Sequence, residues 1–201
     1  MRGVALLKTA LVALLCAAPL GASASEIEVR GSQLQVVEDG LALDADFAFE
    51  FPPRLAEMVG NGVPLYFVVD FEMTRPRWWW FDEKTAAKRM QLRLSFHPLT
   101  RHYRLSTGLL QQQFVTLEEA LHVLKRVRNW LVVERGVALA DANYEVAVRM
   151  RLDSALLPKP FQVSALTSRE FQLESSWQRF VFRPPAAPPA ESREPREVGG
   201  Q

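Results

Sequence analysis

The sequence predicts a mainly β (α+β) fold, an antiparallel two-sheet β-sandwich with one amphipathic helix, the immunoglobulin-like form being one option for it. Three observations predict it. Apolar and polar residues alternate through most segments between residues 26 and 182, turn signals such as Asp39-Gly40 and His97-Pro98 separate those segments, and helical periodicity is sustained only in the stretch that starts at Leu117. An open antiparallel sheet with the helix across one face is the alternative.

Taken in order, Ile27, Val29, Leu34 and Val36 alternate with polar neighbours, and after Asp39-Gly40 the alternation resumes at Leu41, Leu43, Ala45, Phe47 and Phe49. Two strands joined by an Asp-Gly turn follow from that pattern. Pro52-Pro53 stops the second strand, and Arg54 to Val59 is read as a short helix. From Val63 to Thr74, Leu65, Phe67, Val69, Phe71 and Met73 share one face while Asp70 and Glu72 take the other, the strongest strand pattern in the chain. Trp78-Trp79-Trp80-Phe81 is expected to continue the sheet. Strands at Met90 to Phe96 and Arg101 to Ser106, with an extended piece at Gln111 to Val115, complete a meander.

The helix is expected from Leu117 to about Val133. Thr116 and Glu119 make a capping-box pair, Leu117, Ala120, Leu121, Leu124, Val127 and Leu131 form an apolar stripe, and Gly136 reads as the stop. Strands follow at Tyr144 to Leu152 and Phe161 to Leu166, and a last one runs from about Glu170 to Phe182. Between the first two, Leu157-Pro158-Lys159-Pro160 reads as a rigid extended crossing.

Ahead of the domain, Arg2 and Lys8 precede an apolar run from Ala10 to Leu20, and Ala22-Ser23-Ala24 offers small residues for cleavage. This is the pattern of a secretory signal peptide at residues 1–24, and the apolar run is shorter than the roughly 20 residues a membrane-spanning helix needs. A periplasmic protein with a single β-rich domain at 25–182 is expected. The proline-rich end, 183–201, is expected to be a disordered tail.

The only cysteine, Cys16, falls in the leader, and Leu15 before it argues against lipidation. The domain therefore lacks thiol nucleophiles, Cys-based zinc sites and covalent haem attachment, and no cofactor is expected. Removing Arg2 and Lys8 from 24 basic residues leaves 22 against 23 acidic ones, so no bulk charge recruits nucleic acid.

Few residues point to chemistry. Arg75-Pro76-Arg77-Trp78-Trp79-Trp80 is the densest unusual segment, because three consecutive indoles in a strand must face both ways. Exposed indoles beside arginines suit a sugar, a lipid headgroup layer or a protein partner; the alternative is that Trp78 and Trp80 enter the core. His97 and His102 flank a turn and supply at most two metal ligands. Asp70 and Glu72 form a carboxylate pair, with cross-strand pairing to Arg93 or Lys88 as the competing reading. Neither G-x-S-x-G nor a phosphate-cradling glycine loop occurs. Lys125, Arg126, Arg128 and Arg135 make a basic patch on and after the helix, suited to anionic lipid or an acidic partner.

The order TLEEAL, NW, NY, RLDSALLPKPFQV and W, running from Thr116 through Trp130, Asn143-Tyr144 and Leu157 to Phe161 and on to Trp177, resembles a proteobacterial family of exported proteins known only as a domain of unknown function. The resemblance implies a Gram-negative periplasmic protein and brings no activity or functional residues with it. The sequence thus points to a non-enzymatic accessory or binding protein that presents a sandwich surface to an envelope or membrane protein, with peripheral membrane contact open. The candidate binding residues are Arg75, Arg77, Trp78, Trp79, Trp80, Lys125, Arg126 and Arg128. An envelope glycan-binding protein or hydrolase using the tryptophan-rich strand, and a purely structural envelope protein, are the alternatives.

Overall fold

The computed structural model describes residues 26–76, 83–139 and 142–185. Among these residues nine strands form two antiparallel sheets: β1 (Glu28–Val37), β2 (Gly40–Ala48), β3 (Leu65–Arg75), β4 (Glu83–His97), β5 (His102–Thr107), β6 (Leu110–Phe114), β7 (Arg126–Glu134), β8 (Tyr144–Leu152) and β9 (Gln178–Phe182). The small sheet has the order β1-β2-β7 and the large one β6-β5-β4-β3-β8-β9. Every pair is antiparallel.

That order is the immunoglobulin pattern. The first hairpin lies in one sheet, the third strand crosses to the other, a later strand returns beside the second, and the last two close on the third. Tyr144 strengthens the match. It opens β8, is fully buried, and its hydroxyl accepts the amide hydrogen of Leu139 five residues upstream at 2.8 Å, as in the tyrosine corner of immunoglobulin sandwiches. Among the described residues no strand flanks β7 on its outer side, where an immunoglobulin sandwich normally has one. In its place in the chain stands a short helix, α2 (Leu117–Leu124).

The core lies between the sheets. Leu41, Leu43 and Phe47 of β2 and Val127, Val132 and Val133 of β7 face Phe67, Val69, Phe71 and Met73 of β3 and Val146, Val148 and Met150 of β8. Burying each such side chain contributes about 1.5–3 kcal/mol. Phe49 stacks on Phe67 at 6.0 Å, and α1 (Pro53–Gly60) closes one end with Leu55, Met58 and Val59. The Asp39-Gly40 turn is as expected, with Val37 opposite Gly40.

The expected helix to Val133 ends at Leu124. Its capping box forms as read, with Glu119 N–H donating to Thr116 Oγ1 at 3.2 Å and the Glu119 carboxylate accepting from the Thr116 amide. Beyond Lys125 the chain becomes β7, paired with β2. Val127, Trp130, Val132 and Val133 are β-branched or aromatic and favour a strand, and the Val127-to-Leu131 spacing that mimicked a helix arises from irregularities in β2–β7 pairing, with Asn129 at φ 49°. Gly136 accordingly follows a strand.

Two further expectations are corrected. The segment read as a strand at Phe161 to Leu166 is α3 (Lys159–Thr167), because Pro160 sits in the first helical turn, where it sacrifices no hydrogen bond. Leu157 is extended as expected, whereas Lys159 is helical. The last strand is confined to Gln178–Phe182; before it come a 3-10 turn at Arg169–Phe171 and an isolated bridge between Glu174 and Arg151. β4 also begins earlier than its apolar pattern, at Glu83 instead of Met90, since its first residues pair in register with β3 and Lys84 and Arg89 add ion pairs to Glu72 and Asp70 of that strand.

Candidate functional site

The large sheet extends three strands beyond β3, whereas the small sheet ends at β7. The inner faces of β4 and β5 are therefore only partly roofed. Met90, Leu92 and Leu105 form the floor of an open groove of 610 Å³ whose other wall is Val127, Trp130 and Leu131 of β7, with Val123 of α2 at one end. Thr107, Gln112, Asn129 and His122 supply polar groups, and Arg126 and Arg128 supply the charge; among the described residues no Asp or Glu lines it. Trp130 is fixed by an edge contact with Phe71 at 6.4 Å. An apolar trough with a few polar groups is the usual form of a binding site.

On the other side of the β7 start, His122, Arg126 and Arg128 also line a second, more polar cleft of 880 Å³, together with Lys125, Glu26, Glu28, Asp46 and Glu50. The helix-to-strand change is what brings them there. Lys125 caps α2, its Nζ donating to the Phe49 carbonyl at 2.7 Å and lying 4.7 Å from the Phe49 ring. Burial, followed by the nearby Arg30, lowers its pKa. Arg128 donates to Ala45 O at 3.1 Å and pairs with Asp46. Arg126 is exposed. Of the expected binding residues, Lys125, Arg126 and Arg128 thus converge on adjoining clefts as strand and cap residues, not as one face of a helix. Arg75 is remote, at the end of β3 opposite Glu83. Arg77, Trp78, Trp79 and Trp80 lie outside the described residues.

The carboxylate pair lies on the outer face of the large sheet, but its partners differ from those expected. Asp70, 6 % exposed, accepts from Arg89 Nε at 2.8 Å, Arg149 Nε at 3.0 Å and Arg151 Nε at 3.3 Å, and Glu72 pairs with Lys84 at 2.8 Å. Lys88 reaches across to Glu134, and Arg93 lies over the Tyr66 ring. Burial pushes the Asp70 pKa up, but the three guanidinium hydrogen bonds outweigh it and leave the carboxyl below its usual range. An ionised carboxylate held by three arginines is poorly suited to donate a proton, so the acid–base reading loses its geometric support. His97 and His102 face each other across β4 and β5, where the intervening Thr100 engages both rings. Among the described residues no group of three or more His, Cys, Asp or Glu is placed to hold a metal.

Residues 24–181 match the family model described as Domain of unknown function (DUF4390). The chain belongs to this family. Neither a curated protein nor a solved structure matches the chain. The DUF4390 domain therefore supplies its own site by geometry. The groove floor escaped the sequence reading because Met90, Leu92 and Leu105 look like ordinary core positions, as Leu92 and Leu105 are, and only the unequal width of the two sheets opens a trough above them. Arg149 and Arg151 were legible as outward residues of β8, though not as partners of Asp70.

Proposed function

We propose that this domain is an exported, periplasmic, non-enzymatic binding module that accepts an apolar segment of an envelope partner protein, flanked by acidic residues, in the groove between β7 and the β4–β5 overhang. The observation that carries the reading is the groove itself: an apolar trough beside the free edge of β7, with His122, Arg126 and Arg128 on its rim and no acidic residue among the described residues that line it. Buried apolar contact supplies affinity and the cationic rim supplies selectivity for acidic flanks. The partner is read by its side chains. The irregular β2–β7 pairing and the left-handed Asn129 interrupt the edge of β7, and Lys88 Nζ donates to the Leu131 carbonyl at 3.4 Å, so a regular backbone ladder cannot run along this edge.

Export is supported by the leader pattern, Arg2 and Lys8 before an apolar run and an Ala22-Ser23-Ala24 end. The proteobacterial periplasm is the compartment in which the partner is sought. A photo-crosslinking residue at Gln112, exposed and facing the groove, is expected to give an adduct of one defined mass in intact cells, while the same residue at Val181 on β9 gives none. Arg126→Glu is expected to remove the adduct by reversing the rim charge. Equal labelling from both positions, or an adduct indifferent to Arg126→Glu, would refute the reading.

A further inference from the structure

From Lys84 to Leu117 the chain contains six Lys or Arg residues and no Asp or Glu. The fold gathers this stretch into one wing, strands β4, β5 and β6, at the end of the large sheet. Lys84, Lys88 and Arg89 are balanced by Glu72, Glu134 and Asp70 from β3 and β7. Arg93, Arg101 and Arg104 have no carboxylate partner among the described residues. Arg93 lies opposite Ser106 and Arg104 opposite Ser95, which makes them diagonal neighbours on the outer face, and the Arg93 guanidinium lies over the Tyr66 ring at 6.0 Å. Arg104 Nε is buried without a hydrogen-bond partner, so packing and not an ion pair holds that side chain against the sheet.

The two turns of the wing carry exposed leucines. Leu99, 92 % exposed, sits in the β4–β5 turn beside Arg101, and Leu109, fully exposed at 104 %, sits in the β5–β6 turn. Both are convex tips, at opposite ends of a six-residue strand, about 20 Å apart along it. Two apolar tips with unneutralised guanidiniums between them match a plane that is apolar beneath and anionic at its surface. An acidic protein would need two separate pockets for the tips; a bilayer needs none.

We propose that the β4–β6 wing docks flat on an anionic phospholipid surface, Leu99 and Leu109 entering the headgroup–acyl boundary while Arg93 and Arg104 contact lipid phosphates. This surface is separate from the groove, and either assignment can fail without the other. A single pair of leucines and a few cations give weak, reversible association.

Flotation with vesicles of phosphatidylcholine, with and without phosphatidylglycerol, tests it, using the chain as cells process it. All variants share that N-terminus, so any leader contribution is common to them. Wild type is expected to float with the phosphatidylglycerol vesicles only and to be released by salt. Arg93→Gln/Arg104→Gln is expected to lower partitioning about 25-fold, roughly fivefold per arginine. Leu99→Ser/Leu109→Ser should lower it by about tenfold or more. Circular dichroism checks the fold; should the half-buried Arg104 prove indispensable to it, Arg93→Gln alone carries the fivefold expectation. A wild type that stays with the pellet, or binding unchanged in either folded variant, overturns the proposal.

Discussion

Arg149 donates its Nε to Asp70 Oδ2 across 3.0 Å from the position directly opposite on the adjoining strand. Arg89 does the same to Oδ1 from the other flank, and Arg151 adds a third bond. One carboxylate thus ties β4, β3 and β8 together on the face of the sheet away from the core. Val68, two residues away from Asp70 on the same face and opposite Arg151, is 1 % exposed although it lies outside the core between the sheets.

Asp70→Asn keeps the shape and removes the charge, leaving Arg149 and Arg151, both less than a third exposed, beside a neutral amide. The loss is expected to be about 2 kcal/mol, because Arg89 can turn to water while the other two cannot do so fully. Thermal melts at neutral pH should show a Tm lower by roughly 4–8 °C.

The same residue sets an acid limit. A carboxyl whose pKa is lower in the folded protein than in the unfolded chain adds stability above the ordinary value, 3.8 for Asp70, and loses it as pH falls through the folded value. The stability gap between wild type and Asp70→Asn should therefore be constant from neutral pH down to about 4 and shrink below it. Denaturant titrations along a pH series check this; a gap that grows on acidification would contradict it.

Tyr144→Phe deletes the hydroxyl that accepts the Leu139 amide while leaving the buried ring. An expected cost of about 1 kcal/mol follows from one lost hydrogen bond and one amide left to find water. Faster amide exchange at Leu139, with little change elsewhere in β8, would locate the effect at the corner.

Gly40→Ala is expected to be the most damaging small change. At φ +145° a new Cβ would lie 2.0 Å from the Val133 carbonyl oxygen, and both atoms belong to paired strands that cannot separate independently. The loss should exceed about 3 kcal/mol, seen as failure to accumulate soluble protein or as a large drop in the denaturant midpoint.

Much of this architecture is legible in the residues. The alternation through β2, β3 and β8 and the Asp39-Gly40 turn specify strands because a period of two leaves only one way to bury Phe67, Phe71 and Met150. The stretch from Leu117 to Val133 was not legible in the same way. Leu121, Leu124, Val127 and Leu131 satisfy helical spacing, and the chain is divided only by β2, which offers partners to Val127 and Val133 from more than eighty residues away. Lys159-Pro160 shows the converse ambiguity, since proline restricts an extended crossing and the first turn of a helix alike. The site was less accessible still, because a groove made by two sheets of unequal width is a property of strand order and leaves no local pattern.

The interruption of β7 at Asn129 has a consequence for behaviour in concentrated solution. An uninterrupted ribbon at that edge would let one molecule template the next, turning every copy into a seed for fibre growth. With the ladder broken there, contact along β7 saturates after a single encounter, and a growing stack has no regular surface to extend.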